Sequence, residues 1–301
     1  MGTLHVVATP IGHLEDVTLR ALRVLREADW LLAEDTRRTR VLLDHYEITQ
    51  RPDSLHAHNE ASRIDAVLAA LEAGRNVALV SDAGTPLVSD PGARLVAAVV
   101  AAGYPVEAVP GPSALLAALT VAGLPTEQVL FLGFLPRKQG ARRRLLEAQR
   151  GRSETLVLFE SPRRVARILS EIAEILGDRP ACLARELTKR HEEVLRDGLR
   201  ALAARCQASP PRGECTLVVA GASAAEQAER PGWTEAEIDR AIDAALGRGL
   251  SVRDLASEIA AASGQPRRAV YARALERQQA DARRSEDSPG LESTSTPGHR
   301  R

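Results

Sequence analysis

Short apolar runs alternate with helix-length amphipathic segments through the first 220 residues, and this alternation limits the fold more than any other feature. The predicted strands of the first part are Leu4–Ala8, Trp30–Ala33, Asn76–Ser81 and Val106–Val109. The helices predicted around them are Asp16–Glu27, Arg37–His45, Ile64–Ala73 and Ala93–Ala102. A β-α alternation of this kind predicts an α/β fold with a largely parallel sheet that helices cover on both faces.

A second unit repeats the alternation after Gly123. Its predicted strands are Val129–Phe134, Thr155–Phe159, Ala181–Arg185 and Thr216–Ala220, and its predicted helices are Arg142–Gln149 and Val165–Leu176. The chain is therefore expected to contain two α/β lobes, residues 1–122 and residues 123–222.

The composition changes after residue 222. Residues 223–232 are small and polar and end in Pro231-Gly232, which is typical of a linker. Three short helices are predicted next, within a domain of residues 233–280 that is similar to a helix-turn-helix module: Thr234–Leu246, Ser251–Ala262 and Pro266–Arg277. Ser251 stands where a helix N-cap is favoured. Residues 281–301 are rich in Ser, Thr, Pro, Gly and charge, and are expected to be disordered.

The overall composition excludes several classes of protein. No apolar stretch reaches the ~20 residues that span a bilayer, and the N-terminus lacks the basic and apolar regions of a secretion signal. Cys182, Cys206 and Cys215 have no CxxC spacing, so they are interpreted as reduced, packed thiols of a cytoplasmic protein.

Three turns follow predicted strands directly: Thr9–Gly12, Ser81–Gly92 and Pro110–Ala114. Ligands of open α/β sheets bind beyond the carboxyl ends of the strands. Small residues let a ligand approach the backbone, and prolines restrict the loop. Such turns also occur as plain connectors, but three on one sheet edge favour a ligand cleft.

Other common sites are not supported. The first strand is not followed by GxGxxG, and there is no GxxxxGK[ST] phosphate loop. Ser113 lacks the second glycine of GxSxG. His191-Glu192-Glu193 does not match HExxH, and His56-Ala57-His58 has no third ligand, so no metal site is predicted.

A series of ordered motifs is specific to one family. The motifs are Val7–Asp16, Ala33–Arg37, Val80–Pro86, Val109–Ala114, Gly133–Lys138, Phe159–Arg164, Ala184–Lys189 and Arg212–Glu214. In this order they resemble the tetrapyrrole methylase superfamily, in its ribosomal-RNA branch. The resemblance covers nearly everything to residue 222, and the three-helix segment fits it too.

The resemblance implies a two-lobed fold with S-adenosylmethionine in the cleft between the lobes, usually in a homodimer. It implies 2′-O-methylation of the ribose of a cytidine in small-subunit (16S) ribosomal RNA, without a metal. The implied cofactor-binding residues are Pro10, Ala83, Gly84, Thr85, Val88, Ser113, Ala114, Glu160 and Leu187.

No single catalytic residue is identified. A ribose hydroxyl is a weak acid, so a nearby base or cation would help the reaction. The candidates, each in a matched motif, are Glu34, Asp35, Asp82 and Lys189. The candidates for holding RNA phosphate are Arg37, Arg163, Arg164 and Lys189.

Two alternatives stay open. A methyltransferase of the same fold could act on a tetrapyrrole or another small substrate, although Ala83-Gly84-Thr85-Pro86 replaces the Gly-Gly-Asp-Pro of the tetrapyrrole enzymes. The chain could also be a nucleic-acid-binding regulator that reads nucleic acid with residues 234–277. The complete set of cofactor motifs argues against a regulator.

Overall fold

The computed structural model describes residues 1–228 and 233–286. The chain divides into two compact units, Met1–Gln227 and Ala228–Arg301, which are described separately. Within the described ranges no helix is long and apolar enough to cross a membrane. Residues 229–232 of the predicted linker and residues 287–301 of the predicted tail lie outside the described residues.

Five strands form the first sheet of the larger unit. They are β1 (Leu4–Val7), β2 (Trp30–Ala33), β3 (Pro52–Ser54), β4 (Val77–Val80) and β5 (Val106–Val109). Their spatial order is β3-β2-β4-β1-β5, and every neighbouring pair is parallel. The predicted parallel sheet is therefore confirmed, and the bounds of β2 and β5 agree with the prediction residue for residue.

Helices cover both faces of this sheet, as predicted. They are α1 (Leu19–Glu27), α2 (Thr36–His45), α3 (Glu60–Glu72) and α4 (Ala93–Ala101). Successive side chains of a strand point to opposite faces. Ala78 and Val80 of β4 accordingly pack with α1 and α2, whereas Val77 and Leu79 pack with α3 and α4.

The helices of this region differ from the prediction in three places. Helix α3 begins at Glu60, four residues before the predicted Ile64. The helix predicted from Asp16 begins only at Leu19, because the Thr18 side chain caps it by accepting a hydrogen bond from the N–H of Ala21. Helix α5 (Ala114–Ala122) was not predicted, since its run of apolar residues has no amphipathic period. It packs against the second sheet, through Ala118 and Ala122 among other residues.

The second sheet differs from the first. Its strands are β6 (Val129–Phe134), β7 (Thr155–Glu160), β8 (Pro180–Arg185), β9 (Glu193–Gly198) and β10 (Cys215–Val219), in the order β6-β7-β10-β8-β9. Only β6 and β7 pair in parallel, and the other pairs are antiparallel. The repeated alternation favours a parallel sheet here too, and that expectation is wrong. A short loop joins β8 directly to β9 as a hairpin, so the chain reverses direction within the sheet.

The helices of this second lobe are α6 (Gln139–Glu147), α7 (Val165–Leu176), α8 (Leu199–Ala208) and the short α9 (Ala224–Ala228). Residues of α6, α7 and α8 share one apolar cluster with Leu156 and Leu158 of β7. Val157 of the same strand packs with α5 on the opposite face. Helix α5, which starts at the third predicted turn, therefore connects the first sheet to the core of the second.

The described part of the smaller unit forms three helices, α10 (Glu235–Gly247), α11 (Val252–Ser263) and α12 (Arg267–Glu286). They enclose an apolar core that includes Ile242, Leu255 and Val270. Ser251 caps α11, as predicted, because its hydroxyl accepts a hydrogen bond from the N–H of Asp254. Helix α12 continues six residues past the predicted domain end at residue 280.

Candidate functional site

The three turns that follow β1, β4 and β5 lie side by side, because these strands are neighbours in one parallel sheet. Thr9 and Gly84 exchange two backbone hydrogen bonds, each with an N···O distance of 2.9 Å. The Thr85 hydroxyl donates to the Pro112 carbonyl at 3.1 Å. Hydrogen bonds therefore join the three turns, which together form one edge of the first sheet.

A cleft of about 400 Å³ lies at this edge, and we call it the main cleft. The proposed cofactor residues that line it are Ala83, Gly84, Thr85, Val88, Ser113, Ala114 and Glu160. Pro10 instead lines an adjoining pocket of about 190 Å³, which we call the side pocket. Leu187 is buried in the same apolar cluster as Ile11, and it is not among the described residues that line either pocket.

The backbone of the second turn adopts conformations that few residues favour. Gly84 and Gly92 have φ of 78° and 116°, and Leu87 and Ser89 have φ of 73° and 74°. The left-handed region is open to glycine but strained for a branched side chain such as leucine. Such strain persists only where the surrounding structure imposes it, and it is concentrated at functional sites.

The main cleft is acidic. One guanidinium, that of Arg38, faces five carboxyl groups, those of Glu34, Asp82, Asp90, Glu160 and Glu214. Burial, together with the charges of Glu34, Asp82 and Glu214, raises the pKa of Asp90 to about 6, although a hydrogen bond with Ser81 opposes the shift. Burial also raises the pKa of Glu34, and the charge of Asp82 adds to that shift.

The four catalytic candidates fall into two groups. Glu34 and Asp82 both line the main cleft, and the N–H of Asp82 donates to Glu34 Oε2 at 3.4 Å. Asp35 instead caps α2 and binds Arg37, whose hydrogen bonds hold the pKa of Asp35 well below its usual range. Lys189 lines the side pocket, with its Nζ hydrogen-bonded to Glu186 and Glu214 at 2.9 and 3.0 Å.

Glu160 brings a buried carboxylate to the second-lobe wall of the main cleft. Its Oε1 accepts a hydrogen bond from the N–H of Ser161 at 2.7 Å. Its Oε2 lies 3.2 Å from Arg164 but is not aligned with it, and so has no hydrogen-bond partner among the described residues. The rings of Phe134 and Phe159, whose centroids are 5.7 Å apart, line the same cleft.

Asp90, Phe134 and Phe159 were not singled out from the sequence. All three lie within or next to motifs that the sequence analysis identified. That position in the sequence is the signal that could have identified them as site residues. Their role becomes visible in the tertiary structure, because they line one cleft although they belong to three separate elements, the second turn, β6 and β7.

Cysteine and metal chemistry find little support in the described residues. Cys215 lines the main cleft, but burial raises its pKa to about 12, so the thiol stays protonated and is a poor nucleophile. Cys182 and Cys206 are also buried and form no disulfide. Across residues 1–228 and 233–286 no group of His, Cys, Asp and Glu is arranged to hold a metal ion.

The candidate phosphate ligands differ in exposure. The Arg37 side chain is 89% exposed although it pairs with Asp35, and Arg163 is exposed with no ion pair to another described residue. The Arg164 guanidinium is engaged internally, with Glu160 and with the Leu135 carbonyl.

Arg142 belongs to a basic cluster of the sequence but is fully buried. Its guanidinium lies 2.7 Å from Glu171 and also donates to the carbonyls of Pro136 and Arg137. It therefore acts as a structural residue of the second lobe.

Comparison with known proteins agrees with this architecture. Residues 3–203 match the family model described as Tetrapyrrole (Corrin/Porphyrin) Methylases. Residues 234–278 match the model described as the RsmI C-terminal HTH domain. Among solved structures, uroporphyrin-III-C-methyltransferase from Thermus thermophilus is 24% identical, with a TM-score of 0.52 over 73% of this chain and 94% of that chain. At this identity the likeness supports the fold alone.

Similarity to curated proteins is much stronger. The chain is 48% identical over 275 residues to "Ribosomal RNA small subunit methyltransferase I" of Mesorhizobium japonicum, covering 91% of each chain. It is 46% identical over 276 residues to the protein of that name from Micromonospora olivasterospora, covering 90% and 85%. The resemblance seen in the motifs is thus confirmed: the chain belongs to the tetrapyrrole methylase family, among the ribosomal RNA small subunit methyltransferase I proteins.

Proposed function

We propose that this chain transfers a methyl group from S-adenosylmethionine to the ribose 2′-hydroxyl of a cytidine in small-subunit (16S) ribosomal RNA. The main cleft is the observation that carries the proposal. Three of its five carboxyl groups have basic partners, since Arg38, Arg164 and Lys189 pair with Asp82, Glu160 and Glu214. Glu34 and Asp90 have no ion pair with another described residue, so they favour a cationic ligand. The sulfonium and ammonium groups of the proposed cofactor carry such charges, whereas an RNA phosphate does not.

The residues of the main cleft fit this cofactor. The small residues Ala83, Gly84 and Ser113 let a ligand approach the backbone. Glu160 Oε2 is buried and lacks a hydrogen-bond partner among the described residues, so it can accept from a ligand. When bound, S-adenosylmethionine supplies an electrophilic methyl group. We expect binding without a metal, and calorimetry in the presence of a chelator tests this; loss of binding would contradict it.

The cleft residues then have to place the acceptor hydroxyl and take its proton. Alignment of the reacting atoms supplies much of the catalysis in a displacement of this kind. We assign the proton-accepting role to Glu34 and Asp90, because burial raises the pKa of each carboxyl and so makes its carboxylate a stronger base. With a pKa of about 6, Asp90 is still mostly ionised at neutral pH. Asp35 and Lys189 are held in ion pairs and are interpreted as positioning residues.

RNA phosphates are expected at the rim of the cleft rather than inside it, since the carboxylates would repel them. Arg37 and Arg163 are exposed and suit this role. Arg164 would contribute indirectly, through its contact with Glu160.

We also propose that the chain acts as a homodimer in the cytoplasm, where small ribosomal subunits are assembled. Helix α5 and strand β6 present an exposed apolar surface on which Leu116 is 60% and Val129 37% exposed. The surface continues into a groove of about 710 Å³ that Leu119 also lines. Because α5 starts at the main cleft, a second copy on this surface would stabilise the cofactor turns. Leu116→Glu should produce monomers in sedimentation experiments, and a wild-type monomer would refute the proposal.

The decisive experiment is transfer of a radiolabelled methyl group from S-adenosylmethionine to small ribosomal subunits that lack their native methylation. Nucleoside analysis of the labelled RNA should recover 2′-O-methylcytidine. Label in another nucleoside would refute the position of methylation. No transfer to RNA, together with transfer to a tetrapyrrole, would support the alternative small-molecule function.

A further inference from the structure

The function proposed above gives the side pocket no ligand of its own, although the implied cofactor residue Pro10 and the positioning residue Lys189 line it. Its volume of about 190 Å³ is half that of the main cleft. The two cavities share Arg38, Asp82 and Glu214 in their walls. A molecule that reacts in the main cleft could therefore extend a second group into the side pocket.

Two threonines that line the side pocket have buried hydroxyl groups without partners. Thr9, directly after β1, and Thr39, in the second turn of α2, are each 5% exposed. Neither Oγ1 atom has a hydrogen-bond partner among the described residues, and both residues line the pocket. The backbone of Thr9 is fixed by its two hydrogen bonds with Gly84. A buried polar group without a partner destabilises a fold. A polar ligand in this pocket would complete both hydroxyl groups once the two side chains rotate toward it.

The other residues that line the side pocket restrict the kind of ligand further. Pro10 and Leu42 contribute apolar surface, against which a flat ring can pack. Hydroxyls both donate and accept hydrogen bonds, and the Asp82 carboxylate only accepts them. Arg38 and Lys189 also line the pocket, but their charges are paired with Asp82 and Glu214. The pocket therefore suits a small, flat, uncharged molecule with a polar edge that includes at least one donor.

We propose that the side pocket binds the base of the nucleotide whose ribose is methylated, and that Thr9, Thr39 and Asp82 read its hydrogen-bonding edge. The proposal rests on the proposed function, since it names the subsite that would hold the cytosine. Proteins that recognise RNA sequence commonly do so on bases turned out of single-stranded regions. The ribose would then lie where the two cavities meet.

The same residues give a reason for selecting cytosine. The exocyclic amino group of cytosine donates hydrogen bonds, and uracil carries a carbonyl oxygen at that position. Asp82 already accepts one hydrogen bond through Oδ1, from the N–H of Asp35 at 2.8 Å, and its Oδ2 lies 3.6 Å from Arg38 Nε. A carboxylate can accept several more. Uracil would place its oxygen against this carboxylate, so the pocket should disfavour it.

Three threonine variants of the full chain test the proposal. Thr9→Val and Thr39→Val remove the unpartnered hydroxyls with little change of shape. Each should raise Tm, by roughly 2–4 °C if the hydroxyl costs about 1 kcal/mol. Each should also lower kcat/KM for small subunits, roughly three- to tenfold. Thr155→Val is the matched control, because the Thr155 hydroxyl is buried but bonded to the Pro125 carbonyl at 2.6 Å. It should lower Tm and leave kcat/KM unchanged.

Base selection is tested separately with Asp82→Asn. The nucleosides cytidine and uridine, which carry no phosphate, serve as probes in saturation-transfer NMR, with S-adenosylhomocysteine bound. The wild type should prefer cytidine, and the variant should lose the preference because an amide can also donate.

The outcomes separate this inference from the function on which it rests. If the wild type methylates no ribosomal RNA, the proposed function fails. If it does, but the Thr9 and Thr39 variants keep the wild-type kcat/KM, the pocket does not hold the base. Weaker cofactor binding by those two variants would assign the pocket to the cofactor and also overturn the inference.

Discussion

Replacing Asp90 with asparagine should stabilise the protein at neutral pH and change it much less in acid. Asp90 is half-buried at the wall of the main cleft. Burial, and then the charges of Glu34, Asp82 and Glu214, raise its pKa from 3.8 to about 6. Ionised Asp90 therefore destabilises the folded chain, and an amide of nearly the same size removes that charge.

The sign and size follow from proton linkage. The folded chain binds this proton more tightly than the unfolded chain, so stability falls as the pH rises from about 4 to about 6 and is constant above that. Two pKa units correspond to roughly 3 kcal/mol. Because the group is only half-buried, solvent screening reduces this to about 1.5 kcal/mol. The expected increase in Tm at pH 7.5 is then roughly 3–6 °C.

Thermal unfolding of the variant and the wild type at two pH values provides the test. At pH 4.5 the unfolded carboxyl is mostly ionised and the folded one is not, so the difference in Tm should shrink to about a third of its value at pH 7.5. Asp65→Asn is the control, at an exposed position of α3 with no hydrogen bond or ion pair to another described residue. A Tm difference that is absent at pH 7.5, or equal at both pH values, would refute the reasoning.

Three further outcomes are expected. Gly84→Val should abolish cofactor binding in calorimetry while the circular dichroism of the fold survives, because valine is strained at a φ of 78°; unchanged affinity would remove this turn from the site. Replacing Arg37 and Arg163 with alanine should reduce the log–log salt slope of RNA binding by roughly 0.7–0.9 for each phosphate that is no longer neutralised, and an unchanged slope would place the RNA elsewhere. Arg142→Leu should lower the free energy of unfolding by about 3–5 kcal/mol, because Glu171 would stay buried without its partner; a loss under 1 kcal/mol would contradict that.

The sequence predicted four of the five strands of the first sheet, because its central strands are buried on both faces. Strands of that kind are continuous apolar runs, and Val77–Val80 is buried at every residue. The prediction missed β3, a three-residue edge strand with no buried residue. The turns at the ends of β1, β4 and β5 could be predicted for a related reason. Parallel strands place their carboxyl ends at one edge, so three turns on one sheet imply one site.

The second lobe was harder to predict because its edge strand is polar. Residues of β9, Glu193–Gly198, are partly or fully exposed and include three charged side chains in six positions. An edge strand needs no continuous apolar run, and charge on it discourages aggregation. Because β9 was not predicted, its hairpin with β8 was not predicted either. The antiparallel pairing of the sheet was missed for the same reason.

The catalytic candidates show a different limit of sequence reasoning. Glu34, Asp35 and Asp82 lie in equally specific motifs, yet Asp35 turns away to cap α2 while the other two face the cleft. A capping residue and a catalytic carboxylate require the same side chain, so residue type cannot separate them. Asp90 acquires its raised pKa only from burial and from charges that other elements supply.

The net charge of zero conceals a separation of charge that constrains how RNA could enter the site. Carboxylates line the main cleft, whereas the exposed guanidinium groups of Arg37 and Arg163 lie in sequence just after the cleft residues Glu34 and Pro162. A nucleotide that brought its phosphate into the cleft would meet repulsion at close range, where the dielectric is low. The arrangement with the lowest electrostatic cost keeps the phosphates on the arginines and admits only the neutral parts of the nucleotide. The ribose would then reach the acidic cleft, and the base would need a polar recess without unpaired charge beside it. The side pocket would meet that need, because Arg38 and Lys189 in its walls are paired with Asp82 and Glu214.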